Sequence, residues 1–216
     1  MEIRYAMVGA YGTNSYLLTE NGRTWIIDPG DGDGALPDWL KEKEIVPERV
    51  IVTHGHLDHY ADASVLAEEY GIPIVFPEGE IEYLKRYSVD RDEREEALKE
   101  RFLKALDAHG EFVKDGDCLR FGEASMQIIT LAGHTACGMC LYVPSEKCVF
   151  TGDQLFAGSI GRTDFYQNDE RGLVEGIRQK LFVLPDETIV FPGHGRPTTI
   201  GREKTHNPFF TERKVW

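Results

Sequence analysis

Four times in this chain a short apolar, β-prone run leads within three residues to a glycine that touches a histidine or an aspartate, and this recurring grammar limits what the chain can fold into. The runs are Val50-Ile51-Val52, leading into Thr53-His54-Gly55-His56-Leu57-Asp58-His59, then Ile128-Ile129-Thr130-Leu131-Ala132-Gly133-His134, Cys148-Val149-Phe150-Thr151-Gly152-Asp153 and Thr188-Ile189-Val190-Phe191-Pro192-Gly193-His194. Singly, a histidine or aspartate after a strand is an ordinary turn or capping residue. Together they concentrate the chemistry: of seven histidines, all but His109 and His206 stand in the first cluster or at a strand end. His109, beside Gly110 after a helical stretch, reads as a C-terminal helix residue. Imidazoles and carboxylates are the ligands that suit zinc, iron or manganese. Because extended residues alternate in direction, His54 and His56 are expected to face one point and Asp58 and His59 another, as two adjacent ions require.

The rest of the chain is a helix-and-strand alternation. Strands are expected over Ile3 to Val8, Ser15 to Thr19 and Thr24 to Ile27, with Asn21-Gly22 as a hairpin turn. A helix follows over Leu36 to Lys43, a strand over Arg49 to Thr53, and a second helix from about Ala61 to Tyr70, closed by Gly71. The charge-rich stretch from Glu78 to Ala108 sets Leu98, Phe102 and Leu106 on one face and pairs Glu95 with Lys99 and Glu100 with Lys104; it reads as a surface helical insertion, with a lid as the other reading. Strands over Cys118 to Phe121, Met126 to Leu131, Met139 to Val143 and Lys147 to Thr151 precede a helix near Leu173 to Leu181. The two halves therefore look alike in order. The expected organisation is a single domain over residues 1–216 with the insertion at about 78–108, of α/β class: a sandwich of two sheets with helices outside. The ligand cluster falls between a strand end and a helix start, where open α/β sheets place their sites.

Composition removes several function classes. A net charge of −13 without a basic stripe argues against nucleic acid and against an anionic membrane surface. The N-terminus carries no apolar signal region, and the longest apolar stretch, Met139 to Val143, is far too short to span a bilayer, so a cytoplasmic location is expected. Four cysteines are sparse for a stapled fold of this length and are expected reduced. Cys137-Gly138-Met139-Cys140 has C-x-x-C spacing but lacks both a second pair and a helix start, which weakens a redox or zinc role.

At Thr53 to His59 the chain resembles the metallo-β-lactamase superfamily, whose T-H-x-H-x-D-H signature these residues match, with His134, Asp153 and His194 at the remaining ligand positions. Within it the likeness is to glyoxalase II, hydroxyacylglutathione hydrolase, in its compact form without a C-terminal helical domain. That likeness extends through Ile160-Gly161-Arg162-Thr163-Asp164-Phe165, Pro192-Gly193-His194-Gly195 and His206-Asn207-Pro208-Phe209. The resemblance implies a four-layer αββα sandwich. It also implies two divalent ions, zinc foremost and iron or manganese as alternatives. One would be held by His54, His56 and His134, the second by Asp58, His59 and His194, with Asp153 bridging; Asp58 and Asp153 thereby take part in catalysis. Asp28 would support a ligand imidazole. The family's Pro-Gly-His-Thr-Pro-Gly is replaced here by Ala132-Gly133-His134-Thr135-Ala136-Cys137, and losing both prolines is expected to loosen that loop.

Two such ions lower the pKa of a shared water towards about 7 and polarise a carbonyl, so a thioester can be hydrolysed without a protein nucleophile. Arg162 is the expected anchor for a substrate carboxylate, through its planar fork, and Tyr166 a further substrate contact. The expected partner is a small-molecule thioester, a glutathione conjugate such as S-D-lactoylglutathione. Two alternatives stay open: a mononuclear iron persulfide dioxygenase, since two histidines and one carboxylate suit iron(II), and a non-enzymatic metal-binding protein.

Overall fold

The computed structural model describes residues 1–30, 33–86, 92–164 and 169–211. It divides into two compact units, Met1–Val113 and Lys114–Trp216. Among the described residues no helix is long and apolar enough to cross a membrane.

The first unit is a six-stranded sheet in sequence order: β1 (Glu2–Val8), β2 (Thr13–Glu20), β3 (Arg23–Ile27), β4 (Arg49–Ile51), β5 (Ile74–Pro77) and β6 (Gly110–Val113). The first three strands form an antiparallel meander and the rest add in parallel. Asn21 and Gly22 both adopt positive φ, 52° and 78°, the backbone a tight two-residue hairpin demands. Helices α1 (Ala35–Glu42), α2 (Leu57–Tyr70), α3 (Ile81–Arg86) and α4 (Glu93–His109) fill the crossovers. Their apolar faces pack on Leu17, Ile26, Val50, Val52, Ile74 and Phe76, which share one face of the sheet. Phe102 of α4 is the centre of this core, stacked on Tyr60 at 4.3 Å and edge-on to Phe76 at 5.5 Å. Lys99 lies 2.7 Å from Glu96 rather than one turn from Glu95, and its stem is buried along the helix.

The second unit carries the sheet order β14-β13-β10-β9-β8-β7. Its strands are β7 (Cys118–Phe121), β8 (Ala124–Leu131), β9 (Gly138–Val143), β10 (Cys148–Gly152), β13 (Ile189–Pro192) and β14 (Thr198–Thr199), with a separate small hairpin of β11 (Leu155–Phe156) and β12 (Ser159–Ile160). Leu173 and Val174 of α5 (Glu170–Gly176) pack with Leu131, Cys140, Val149 and Val190. The helix expected to run to Leu181 does so, but its last turn, Ile177–Leu181, is wound wider as a π-helix. The last described elements are α6 (Ile200–His206) and α7 (Pro208–Thr211). Both units thus have the α/β character that the sequence led us to expect.

Candidate metal centre

In the first unit the ligand turn begins where β4 stops. His56 is still extended, and α2 starts at Leu57, four residues earlier than the apolar spacing suggested, so Asp58 and His59 occupy the first helical turn. An acidic side chain is favoured there by the helix dipole. His54 and His59 are fully buried. His54 Nε2 lies 3.0 Å from His56 Nδ1, and His59 Nε2 lies 3.4 Å from Asp58 Oδ2. Alternation along an extended chain accounts for the first pair only; the second comes from adjacent places in a helix.

Asp28, at the end of β3, organises the turn. Its Oδ1 accepts the Thr53 amide at 2.8 Å, and its Oδ2 accepts the Thr53 hydroxyl at 2.8 Å and His59 Nδ1 at 2.9 Å. Asp28 has φ of 51°, a conformation aspartate tolerates better than most residues. Thr13 of β2 donates its hydroxyl to Asp58 Oδ2 at 2.8 Å.

In the second unit the three remaining residues gather around one oxygen. His134 Nε2 and His194 Nε2 each lie 3.5 Å from Asp153 Oδ2. β10 and β13 are parallel neighbours, and Gly193 N donates to Gly152 O at 2.8 Å, so Asp153 and His194 leave adjacent strand ends side by side. The His134 loop is pinned despite its lost prolines. Gly133 N bonds Thr135 O at 2.9 Å, Asp169 N bonds Gly133 O at 3.0 Å, and Thr135 is fully buried. Glycine is required at 133, because a Cβ there would sit 2.4 Å from Leu173 Cβ and 2.6 Å from Asp169 O.

Arg162 takes part in an unexpected way. Its backbone carbonyl accepts His134 Nδ1 at 2.8 Å, while its guanidinium is exposed and grips Asp164 with two hydrogen bonds, of 3.0 and 2.9 Å. The Arg162 hydrogen bonds hold the Asp164 carboxyl below the usual carboxylate range. Gly161 lets the hairpin come close: a Cβ there would stand 1.9 Å from Asp153 O and 2.8 Å from His134 Cγ. Tyr166 lies outside the described residues. His109 and His206 are the last residues of α4 and α6, as helix-end residues rather than members of either cluster.

The donor set fits a metal. A carboxylate and a carbonyl only accept hydrogen bonds, so His59 Nδ1 and His134 Nδ1 are the protonated nitrogens. Each ring then turns an Nε2 lone pair towards a carboxylate oxygen 3.4 or 3.5 Å away, which repels unless a proton or a metal cation lies between. The His54 ring centroid lies 4.7 Å from that of His56 and 4.2 Å from that of His59. Several imidazolium charges that close would oppose one another, so a metal ion satisfies the set better than protons do.

Two residues that sequence reasoning passed over also touch the turn, both from the stretch expected to be solvated. Glu80 Oε2 accepts Gly55 N at 3.0 Å, and the Tyr83 hydroxyl lies 3.2 Å from His56 Nε2. Both side chains are buried.

The sequence model of the metallo-beta-lactamase superfamily matches residues 8–194. The chain belongs to that superfamily. Hydroxyacylglutathione hydrolase GloC of Haemophilus influenzae is 34% identical, covering 99% of this chain and 100% of its own length. Among solved structures, the BLEG-1 B3 metallo-beta-lactamase has a TM-score of 0.82 at 31% identity over 98% of this chain and 100% of that one. TTHA1623, solved in a di-iron-bound form, has a TM-score of 0.76 at 28% identity over 95% and 99%. The metallo-β-lactamase fold inferred from Thr53 to His59 is therefore the fold of this chain, and it is a fold that binds divalent metals.

Proposed function

We propose that this protein is a metal-dependent hydrolase of small thioesters, with glutathione conjugates such as S-D-lactoylglutathione as the substrate class. In this reading His54, His56 and His134 hold one divalent ion, Asp58, His59 and His194 a second, and Asp153 is shared. The observation that carries it is the set of imidazoles locked by acceptor partners with their Nε2 lone pairs turned towards carboxylates. The full-length likeness to a hydroxyacylglutathione hydrolase supports the choice of thioester. The chemistry supplied by bound divalent ions is water made nucleophilic at neutral pH and polarisation of the acyl carbonyl.

The protein's own contribution is orientation. Asp28 sets the His59 tautomer, Thr13 fixes the Asp58 carboxylate, and the Arg162 carbonyl sets His134. A substrate carboxylate reaching the Arg162 fork exchanges with Asp164, so that anchor is gated by an internal competitor. Tyr166 follows four residues later and is proposed as a neighbouring substrate contact. Zinc is the proposed metal, with iron next in view of the di-iron relative; the proposed location is cytoplasmic, as one functional domain.

The test is hydrolysis of S-D-lactoylglutathione by protein of measured metal content, run beside oxygen uptake with glutathione persulfide. Thioester turnover that rises with metal content up to two ions per chain supports the reading. Iron-dependent oxygen uptake without thioester turnover would replace it with a dioxygenase.

A further inference from the structure

His56 is held differently from the other histidines of its turn. The Thr53 hydroxyl gives its one hydrogen to Asp28 Oδ2, so at 3.0 Å from His54 Nδ1 it accepts. His54 therefore carries its hydrogen on Nδ1 and, like His59, presents a lone pair on Nε2. That lone pair faces His56 Nδ1 at 3.0 Å. The other ring nitrogen, His56 Nε2, lies 3.2 Å from the Tyr83 hydroxyl. A hydroxyl both donates and accepts, whereas Asp28 and the Arg162 carbonyl can only accept.

Tyr83 is itself well fixed. It stands on α3 with 2% of its surface exposed, and Glu80, fully buried one turn before it, holds Gly55 N. The ring and the backbone of the ligand turn are thus both contacted from one short stretch after β5.

We propose that Tyr83 is a positioning residue for His56, and that its hydroxyl keeps the ring in place through a change of tautomer on metal loading. Without an ion, His56 Nδ1–H donates to His54 Nε2, and His56 Nε2 accepts from the Tyr83 hydroxyl. With an ion taken by the two facing nitrogens, the ring hydrogen resides on His56 Nε2 and is donated to the Tyr83 oxygen. His56 stays neutral throughout: one hydrogen leaves Nδ1 for solvent, one arrives at Nε2, and the tyrosine hydroxyl rotates. A carboxylate in the place of Tyr83 would hold the ring in the loaded tautomer only. Tyr83 therefore makes His56 the ligand that adapts, beside His54 and His59, which are preset.

The proposal rests on the reading of His56 as a metal ligand and is independent of the substrate. It is tested on metal-free full-length protein titrated with zinc chloride against a competing chelator, with long-range 1H–15N spectra of the histidine rings. In the wild-type protein the His56 proton should move from Nδ1 to Nε2 as zinc is added. Tyr83→Phe should keep the far-UV circular dichroism of the parent and lose about 10- to 100-fold in zinc affinity. A His56 ring already carrying its proton on Nε2 before zinc is added, or a Tyr83→Phe protein with parental affinity, overturns the proposal. His56→Ala separates the two levels: unchanged zinc binding there removes the ligand reading itself. A loss in His56→Ala with none in Tyr83→Phe removes only the role of Tyr83. Should Tyr83→Phe fail to fold, the wild-type tautomer measurement still decides.

Discussion

Asp28→Asn is the substitution that most directly challenges the account of the ligand turn. Asparagine fits the left-handed backbone at φ 51° as well as aspartate does, so the change leaves the chain path alone. It replaces the oxygen that accepts both Thr53 Oγ1 and His59 Nδ1 with an NH2 that can only donate, or else puts that NH2 against Thr53 N. One buried, charge-assisted hydrogen bond is lost either way, worth about 1.5–3 kcal/mol. For a chain of this length that corresponds to a fall in Tm of about 3–12 °C in the metal-free protein. The larger consequence is chemical. His59 relieves the clash by moving its hydrogen to Nε2, which turns an N–H towards Asp58 and removes the lone pair a metal needs. Zinc affinity should fall about 10- to 100-fold, measured by chelator competition, and the ring spectra should show the changed tautomer. An Asp28→Asn protein with parental zinc affinity and an unchanged His59 tautomer would refute the argument that Asp28 selects the ligand nitrogen.

Gly161→Ala should displace His134 and weaken zinc binding by about 10-fold or more. Gly158→Ala, at φ +78° but in open space, should cost only about 1–2 kcal/mol of backbone strain and leave zinc binding intact; equal zinc affinity in the two variants would count against the close approach. Asn207→Ala empties a fully buried site whose amide donates to Ser159 O and Glu203 Oε2, and should lower stability to urea by about 1–3 kcal/mol; an unchanged midpoint would show that the tail is not anchored there. Phe102→Ala, at the centre of the first unit's core, should cost about 3–5 kcal/mol, and a loss below about 1 kcal/mol would refute its central place. Burial pushes the Cys148 thiol up to about 12 and that of Cys140 higher still, so at pH 8 an alkylating reagent should modify exposed Cys118 in the folded protein and spare these two until denaturant is added. Rapid native-state labelling of Cys140 would contradict the packing of β9.

The sequence was legible wherever local rules decide. Asn21-Gly22 needs two positive φ values, Gly71 closes α2 in the left-handed region, and the apolar runs before His54, Asp153 and His194 become β4, β10 and β13. It misled where one signal stood for two structures. Asp58 and His59 look like part of an extended ligand run, yet the helix starts under them, with Leu57 and Tyr60 set three apart against the core. The stretch from Glu78 onward reads as solvated because its charges outnumber its apolar residues, but Glu80 and Tyr83 are buried against the ligand turn. Their partners, Gly55 and His56, lie 25 and 27 residues earlier, a separation no periodicity reports. Arg162 attracts notice for its side chain, while the contact to His134 is made by its backbone, which carries no residue-specific signal.

Because Asp58 and His59 stand in the first turn of α2, that turn and the second proposed ion would share the same side chains. Such a turn can fray while β3, β4 and β5 stay paired, so exchange of an ion held there would need only a local opening and not the unfolding of the unit. Amide hydrogens at the start of α2 should then slow their exchange on zinc addition far more than those of the sheet behind them. The ion and the helix end would form one small cooperative element, and the rate at which the protein gives up its metal would be set by how often a single turn of helix comes undone.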